Sequence, residues 1–176
     1  GPIVSKVKAD AADAIYASGY FFTAGPLVSQ LRSAGIDVPI IGQEGYDGQM
    51  FIKIAGKAAE GVIITTSLDR DSKDPLARAF IDGFQANSGY PADMVSASTH
   101  TAVLVLTEAL KQVGADDKAK LRDAIARTSI NAATGNISFN KLGEVKKSVQ
   151  VQIVRNGNWH HYATISDPIL LAPPEE

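Results

Sequence analysis

The chain has 176 residues, 45% of them hydrophobic, a formal net charge of -2 and no cysteine. That length carries a sizeable core, scattered Lys and Arg give no basic patch for nucleic acid, and the lack of cysteine excludes disulfides and thiolate metal sites. No apolar run approaches the roughly 20 residues that span a bilayer. The opening residues do not read as a signal peptide, and Gly1-Pro2 reads either as a protease scar or as the start of a fragment.

Residues 3–11 (IVSKVKADA) place Ile3, Val4 and Val7 on one face, the tail of an amphipathic helix. Residues 13–17 predict a buried strand that ends at Ser18-Gly19. Residues 25–34 (GPLVSQLRSA) predict a helix with Pro26 at its start, apolar Leu27, Val28 and Leu31, and Gly35 beyond its end. A short strand over 38–41 and a short helix over 47–55, closed by Gly56, come next. The β-branched run 61–66 (GVIITT) predicts a buried parallel strand. After a charged break over 69–75, helices are expected over 76–87, 99–113 and 118–128. From Gly135 the pattern changes to hairpins. Strands are expected over 137–139, 149–154 and 159–165, with Arg155-Asn156-Gly157-Asn158 as a turn and 171–176 as a tail.

The stretch 15–47 carries the chemistry. It reads as strand, turn, helix, short strand and a second turn that holds Glu44 between Gly42 and Gly45 on one side and the other. In parallel α/β folds ligands gather at the carboxyl ends of strands, and Tyr20 and Glu44 both fall there. An aromatic wall beside a carboxylate suits a small zwitterion with an ammonium group and a modest apolar body. Phe21 and Tyr46 are secondary candidates for the same site, although packing is the better reading of both, as it is of Val95.

Other motifs carry less. His160 and His161 are adjacent on a strand and point to opposite faces, whereas metal sites need three or four convergent ligands. The run Asp69-Arg70-Asp71-Ser72-Lys73-Asp74 has Asp74 and Phe80 where a calcium loop of the EF-hand type needs Gly and Glu, so a solvated loop or hinge is expected. Gly42, Gly45 and Gly48 match no phosphate-binding pattern. No nucleophile, base and orienter stand together, so neither catalysis nor a cofactor is expected.

The landmarks GY (19–20), AGPLVSQLRSAGI (24–36), G-x-E-G (42–45), AGKAAEGVIITT (55–66), THTAVLVLTEAL (99–110) and TGNISFNKLGEV (134–145) run in an order that closely resembles the leucine/isoleucine/valine-binding family. These are type 1 periplasmic binding proteins of ABC transporters. The resemblance spans nearly the whole chain. It implies an α/β fold of two flavodoxin-like lobes, parallel sheets flanked by helices, here incomplete and corresponding to the C-terminal half. Residues 1–67 would belong to the second lobe, 68–148 to the first, and 149–176 to a crossover back to the second lobe and a tail. Tyr20 would pack on the ligand and Glu44 would receive its α-ammonium. His100 stands where family members often carry tyrosine, and a structural role is expected for it.

The absent half would supply the Ser/Thr and backbone donors for the ligand's α-carboxylate. Its absence would leave two sheets with open edges, so the implied partners are that half, as a separate chain or a swapped copy, and an ABC permease in the membrane. The implied function is the substrate-binding component of an importer, closing around a branched-chain or similar aliphatic amino acid. GABA-like ligands stay open. The implied location is the periplasm, or the exterior of a Gram-positive cell on a lipid anchor. A two-lobed ligand-sensing domain of a regulator or receptor is the alternative, and an α/β enzyme of flavodoxin-like topology lacks a catalytic set.

Overall fold

Residues 1–172 are described by the computed structural model. They fall into two units, Gly1–Thr66 with Gln150–Ala163, and Ser67–Val149 with the residues from Thr164 onward. The part of the expected tail at 173–176 lies outside the described residues.

The first unit contains α1 (Pro2–Asp10), β1 (Ile15–Tyr16), α2 (Phe21–Ser33), β2 (Ile40–Gly42), α3 (Gln49–Ala55) and β3 (Ile63–Thr66). It is completed by β7 (Val149–Arg155) and β8 (Asn158–Ile165) in a sheet of order β1-β2-β3-β7-β8. Three strands run parallel, with Ile15 opposite Ile40 and Ile41 opposite Ile63. The helices between them make those crossovers possible, since a parallel pair cannot be joined by a tight turn. β7 then pairs antiparallel to β3, Ile63 opposite Ile153 and Thr66 opposite Gln150. The expected turn at 155–158 is tight, with both Asn156 and Gly157 at positive φ (51° and 72°), the pattern that joins twisted hairpin strands. Val28, Leu31, Ile40, Phe51, Val62, Ile64 and Val154 form the buried core of this unit.

α2 departs from expectation. It begins at Phe21, four residues before the Gly-Pro pair, and Pro26 lies inside it. Proline lacks the N–H that would bond the carbonyl four residues back, a cost that normally ends a helix. Packing overrides it here. A Cβ at Gly25 would stand 2.5 Å from Ile54 Cγ2, so glycine lets α2 and α3 approach closely, and Leu31 and Val28 on the same helix are fully buried. The pair therefore marks a helix–helix contact and not a helix start.

The second unit contains α4 (Pro75–Ser88), α5 (Met94–Val113), α6 (Lys118–Arg127), β4 (Ile130–Ala132), β5 (Gly135–Phe139) and β6 (Val145–Lys146). The three strands form an antiparallel sheet in that order. β4 and β6 were not expected, because INA and VK show no alternating apolar pattern that could signal a strand. α5 starts five residues before its expected beginning, where Asp93 and Ser96 close a reciprocal capping box. Two small apolar clusters support this unit, one around Leu68, Ile81, Ala92 and Ala97, the other around Val105, Ala132 and Ile137.

The aspartates of the charged break have local partners. Asp69 Oδ1 accepts the Asp71 N–H, and Asp74 Oδ1 caps α4 by accepting from Leu76 N (2.9 Å) and Ala77 N (3.1 Å). Asp74→Ala is expected to lower stability by about 1 kcal/mol, whereas Asp74→Asn keeps most of the cap. Urea midpoints of both variants, with amide exchange at Leu76 and Ala77, check this. An unchanged Asp74→Ala protein would remove the capping role.

Candidate functional site

The site is built on two turns of the first unit, both at carboxyl ends of parallel strands. The first follows β1. There Tyr20 takes an extended backbone (φ −111°, ψ 160°) and caps α2, its carbonyl accepting from Thr23 N and Ala24 N at 2.9 and 2.8 Å. Tyr20 is 62% exposed, and its ring lies parallel to that of Phe22, a residue 58% exposed, with centroids 5.9 Å apart and 3° between planes. Phe21 turns the other way, half-buried against the core and edge-on to Phe22. The exposed aromatic surface is therefore Tyr20 with Phe22. Sequence reading missed Phe22 because a helix begun at residue 25 leaves the phase of Phe21-Phe22 undefined.

The second turn follows β2. Glu44 opens a single turn of 3-10 helix, Glu44–Tyr46, and its side chain is exposed. Gln43 ties the two turns together. Its Oε1 accepts the Gly45 N–H at 2.9 Å within the second turn, and its Nε2 donates to the Gly19 carbonyl of the first at 2.7 Å. Gly45 lies so close beneath that carbonyl that a Cβ there would stand 2.3 Å from Gly19 O.

Tyr46, a secondary candidate for ligand contact, is fully buried. Its hydroxyl donates to Ala17 O at 2.5 Å, and its ring stacks on Phe51 at 4.9 Å. It supports the turn from below and presents nothing to a ligand, because the ring fills the space over Gly42, where a Cβ would meet it at 2.6 Å. Burial pushes the Tyr46 hydroxyl above its ordinary value of 10.0, and neighbouring Tyr16 adds to the shift. A raised folded-state value means the folded protein holds this proton more tightly than the unfolded chain. The resulting stability is fully present below about pH 10 and is lost as pH rises through the folded value. Tyr46→Phe should flatten the alkaline limb of a stability–pH curve while lowering stability at neutral pH by about 1 kcal/mol, through the lost bond to Ala17. An identical alkaline limb in both proteins would exclude Tyr46 as its source.

At the end of β3, Thr66 Oγ1 donates to Asp47 Oδ2 at 2.6 Å, bracing the segment after the Glu44 turn against the third parallel strand. No sequence signal linked these two residues. Trp159 Nε1 reaches Gly48 O at 3.1 Å from β8 and steadies the same segment.

The remaining motifs lie on elements other than these two turns. His100 is exposed on α5 with its ring 4.9 Å from that of Phe80, a packing contact. Among the described residues no group of three or more His, Cys, Asp or Glu could hold a metal ion, and no helix is long and apolar enough to cross a membrane. A carboxylate and an aromatic pair on tied turns can offer a charge-assisted hydrogen bond and an apolar wall. Neither group is set up to make or break a covalent bond.

The Periplasmic binding protein family matches residues 1–158. The chain is 30% identical over 144 residues to the leucine-, isoleucine-, valine-, threonine- and alanine-binding protein of Pseudomonas aeruginosa, covering 82% of this chain and 38% of that protein. The leucine binding protein LivK of Thermotoga maritima superposes with a TM-score of 0.89 at 29% identity, over 96% of this chain and 49% of that one. The branched-chain amino acid substrate-binding protein LivJ of Streptococcus pneumoniae, solved with isoleucine, superposes at 0.82 with 26% identity, over 93% and 47%. The chain thus spans about two fifths to one half the length of the relatives it matches. These relatives are solute-binding proteins and not enzymes. With a match over nearly its whole length and the strand order of a type 1 α/β lobe, this chain belongs to the periplasmic binding protein family.

Proposed function

We propose that the chain is the C-terminal half of a receptor that binds a branched-chain or similar aliphatic amino acid and delivers it to an ABC permease from the periplasm or the cell exterior. The observation that carries this reading is the exposed Glu44 and the exposed Tyr20–Phe22 stack on two turns joined by Gln43. Glu44 takes the ligand ammonium and Tyr20 walls the aliphatic body. The α-carboxylate is held by groups of the other half. Ligand contacts on both lobes then favour the closed state, which the permease reads. The first unit is the second lobe, and Ser67–Val149 is the chain's share of the first.

Two surfaces support a complementing half as partner, either a separate polypeptide or a swapped copy. The two-residue strand β1 forms one edge of its sheet, and an open edge invites pairing. In the second unit an apolar groove of about 490 Å³ runs between α5, α6 and β5, lined by Val105, Leu106, Ile125, Ile137 and Phe139. Leu106 on its wall, with Val95 and Val103 on the same helix, is exposed.

Thermal unfolding with and without the N-terminal half tests the proposal. Leucine, isoleucine or valine at about 100 times Kd should stabilise the completed receptor by about 2.7 kcal/mol and leave the lone chain unmoved. Stabilisation of the lone chain would overturn the shared site, and no response of the completed receptor to any aliphatic amino acid would overturn the function.

A further inference from the structure

We infer that Gln43, with Gly45, is the positioning element of the site, a clasp that fixes the Tyr20 turn against the Glu44 turn and so sets ligand affinity without touching the ligand. The inference rests on the proposed roles of Tyr20 and Glu44 and adds to them a residue that neither role assigns. Tyr20 and Glu44 sit on separate loops after separate strands, and each side chain is exposed. Pairing of β1 with β2 and the Tyr46 hydroxyl on Ala17 O bring the bases of the two loops together, but they leave the loop tips that carry Tyr20 and Glu44 to be joined. The Gln43 carboxamide joins them with both of its ends, the oxygen to Gly45 N–H and the nitrogen to Gly19 O. Both bonds are partly buried, where an amide hydrogen bond competes less with water.

Gly45 supplies the second component, which is steric. A Cβ there would stand 2.3 Å from Gly19 O, 2.8 Å from Gln43 Nε2 and 3.2 Å from Tyr20 Cδ1. The first neighbour is backbone and cannot swing aside, so any side chain at 45 drives the turns apart. The φ of Gly45 is not positive, so closeness and not backbone freedom demands glycine here. A side chain that spans the gap and a residue without one at the point of contact form a single device. Glu44, between them in sequence, is held by both.

The clasp makes a prediction that simple destabilisation does not. In the completed receptor, Gln43→Ala should weaken leucine binding about fivefold to tenfold when Glu44 is present, and less than twofold in a Glu44→Gln background, because its effect runs through Glu44. Gln43→Glu retains the acceptor for Gly45 N–H and loses the donor to Gly19 O. It should show most of the Gln43→Ala affinity loss, with a lowered thermal midpoint because an oxygen then faces Gly19 O. Calorimetric titration of leucine into the four members of the cycle reads the coupling. Amide exchange at Gly45 reads the carboxamide's bond within the second turn without any ligand, slow in the parent and Gln43→Glu proteins and fast in Gln43→Ala. Equal losses in both backgrounds, or unchanged affinity with fast Gly45 exchange, would overturn the inference. Unchanged affinity in Glu44→Gln would instead overturn the reading of the site, whereas unchanged affinity in Gln43→Ala beside a weakened Glu44→Gln would overturn the clasp alone. Gly45→Ala offers an independent check, since it should reproduce the affinity loss with the carboxamide intact.

Discussion

Glu44→Gln is expected to weaken leucine binding by the completed receptor at least about tenfold, or about 1.4 kcal/mol. The substitution keeps the size of the side chain and one acceptor oxygen and removes only the charge. A hydrogen bond to a charged partner is worth about 1.5–3 kcal/mol net, against about 0.5–1.5 for a neutral pair, and the difference between those ranges is the predicted loss. The proposed closure of the lobes would enlarge it, because water would no longer screen the ammonium. The affinity deficit should therefore persist in high salt, where an exposed pair would be screened to little. Calorimetric titration at low and high ionic strength reads both features. An unchanged dissociation constant would end the ammonium role of Glu44, and a deficit that vanishes in salt would place the pair at the surface and not in a closed cleft.

Phe51→Ala is expected to destabilise the first unit by about 3–5 kcal/mol, the range for a large aromatic removed from a packed core. Phe51 is fully buried, with its ring between Tyr46 at 4.9 Å and Trp159 at 5.8 Å. The alanine would leave a cavity on both faces of the lost ring. Tyr46 would lose its backing, and with it the floor of the Glu44 turn. Phe51→Leu fills part of the space and should cost markedly less. The single tryptophan is one of the two stacked neighbours, so urea unfolding followed by its fluorescence reports on this cluster directly. A loss below about 1 kcal/mol would mean that the stack closes over the cavity without strain.

Much of the architecture was legible because its signals are local. The β-branched run ending at Thr66, the Asn-Gly turn at 156–157 and Gly35 beyond α2 each fix an element through backbone preference alone. The placement of Tyr20 and Glu44 just past the carboxyl ends of β1 and β2 was legible for a similar reason, since the strand–turn–helix pattern is local. What stayed hidden depends on contacts between segments distant in sequence. Pro26 reads as a helix start until the packing of Gly25 on Ile54 shows why the helix runs through it. Tyr46 reads as a neighbour of Glu44 until its hydroxyl is found on Ala17, and Phe22 acquires meaning only once α2 begins at Phe21. Gln43 falls in the same class. Its partner Gly19 is 24 residues away, and a glutamine between two glycine-flanked turns has no pattern of its own.

The order of strands has a consequence for synthesis on the ribosome. β3 pairs with β2 on one side and β7 on the other, and residues 67–148 are inserted between β3 and β7. The equilibrium cost of such an insertion is modest, since loop-closure entropy grows only with the logarithm of length. The timing cost is larger. A nascent chain extrudes α2, α3 and three parallel strands and then waits, with one side of β3 unpaired, while the inserted unit is made. Only when β7 and β8 emerge do Val154 and Trp159 enter the earlier core. A segment made after the inserted unit is thus the keystone of the unit begun before it, and the environment of Trp159 is a clock for that unit's completion during translation.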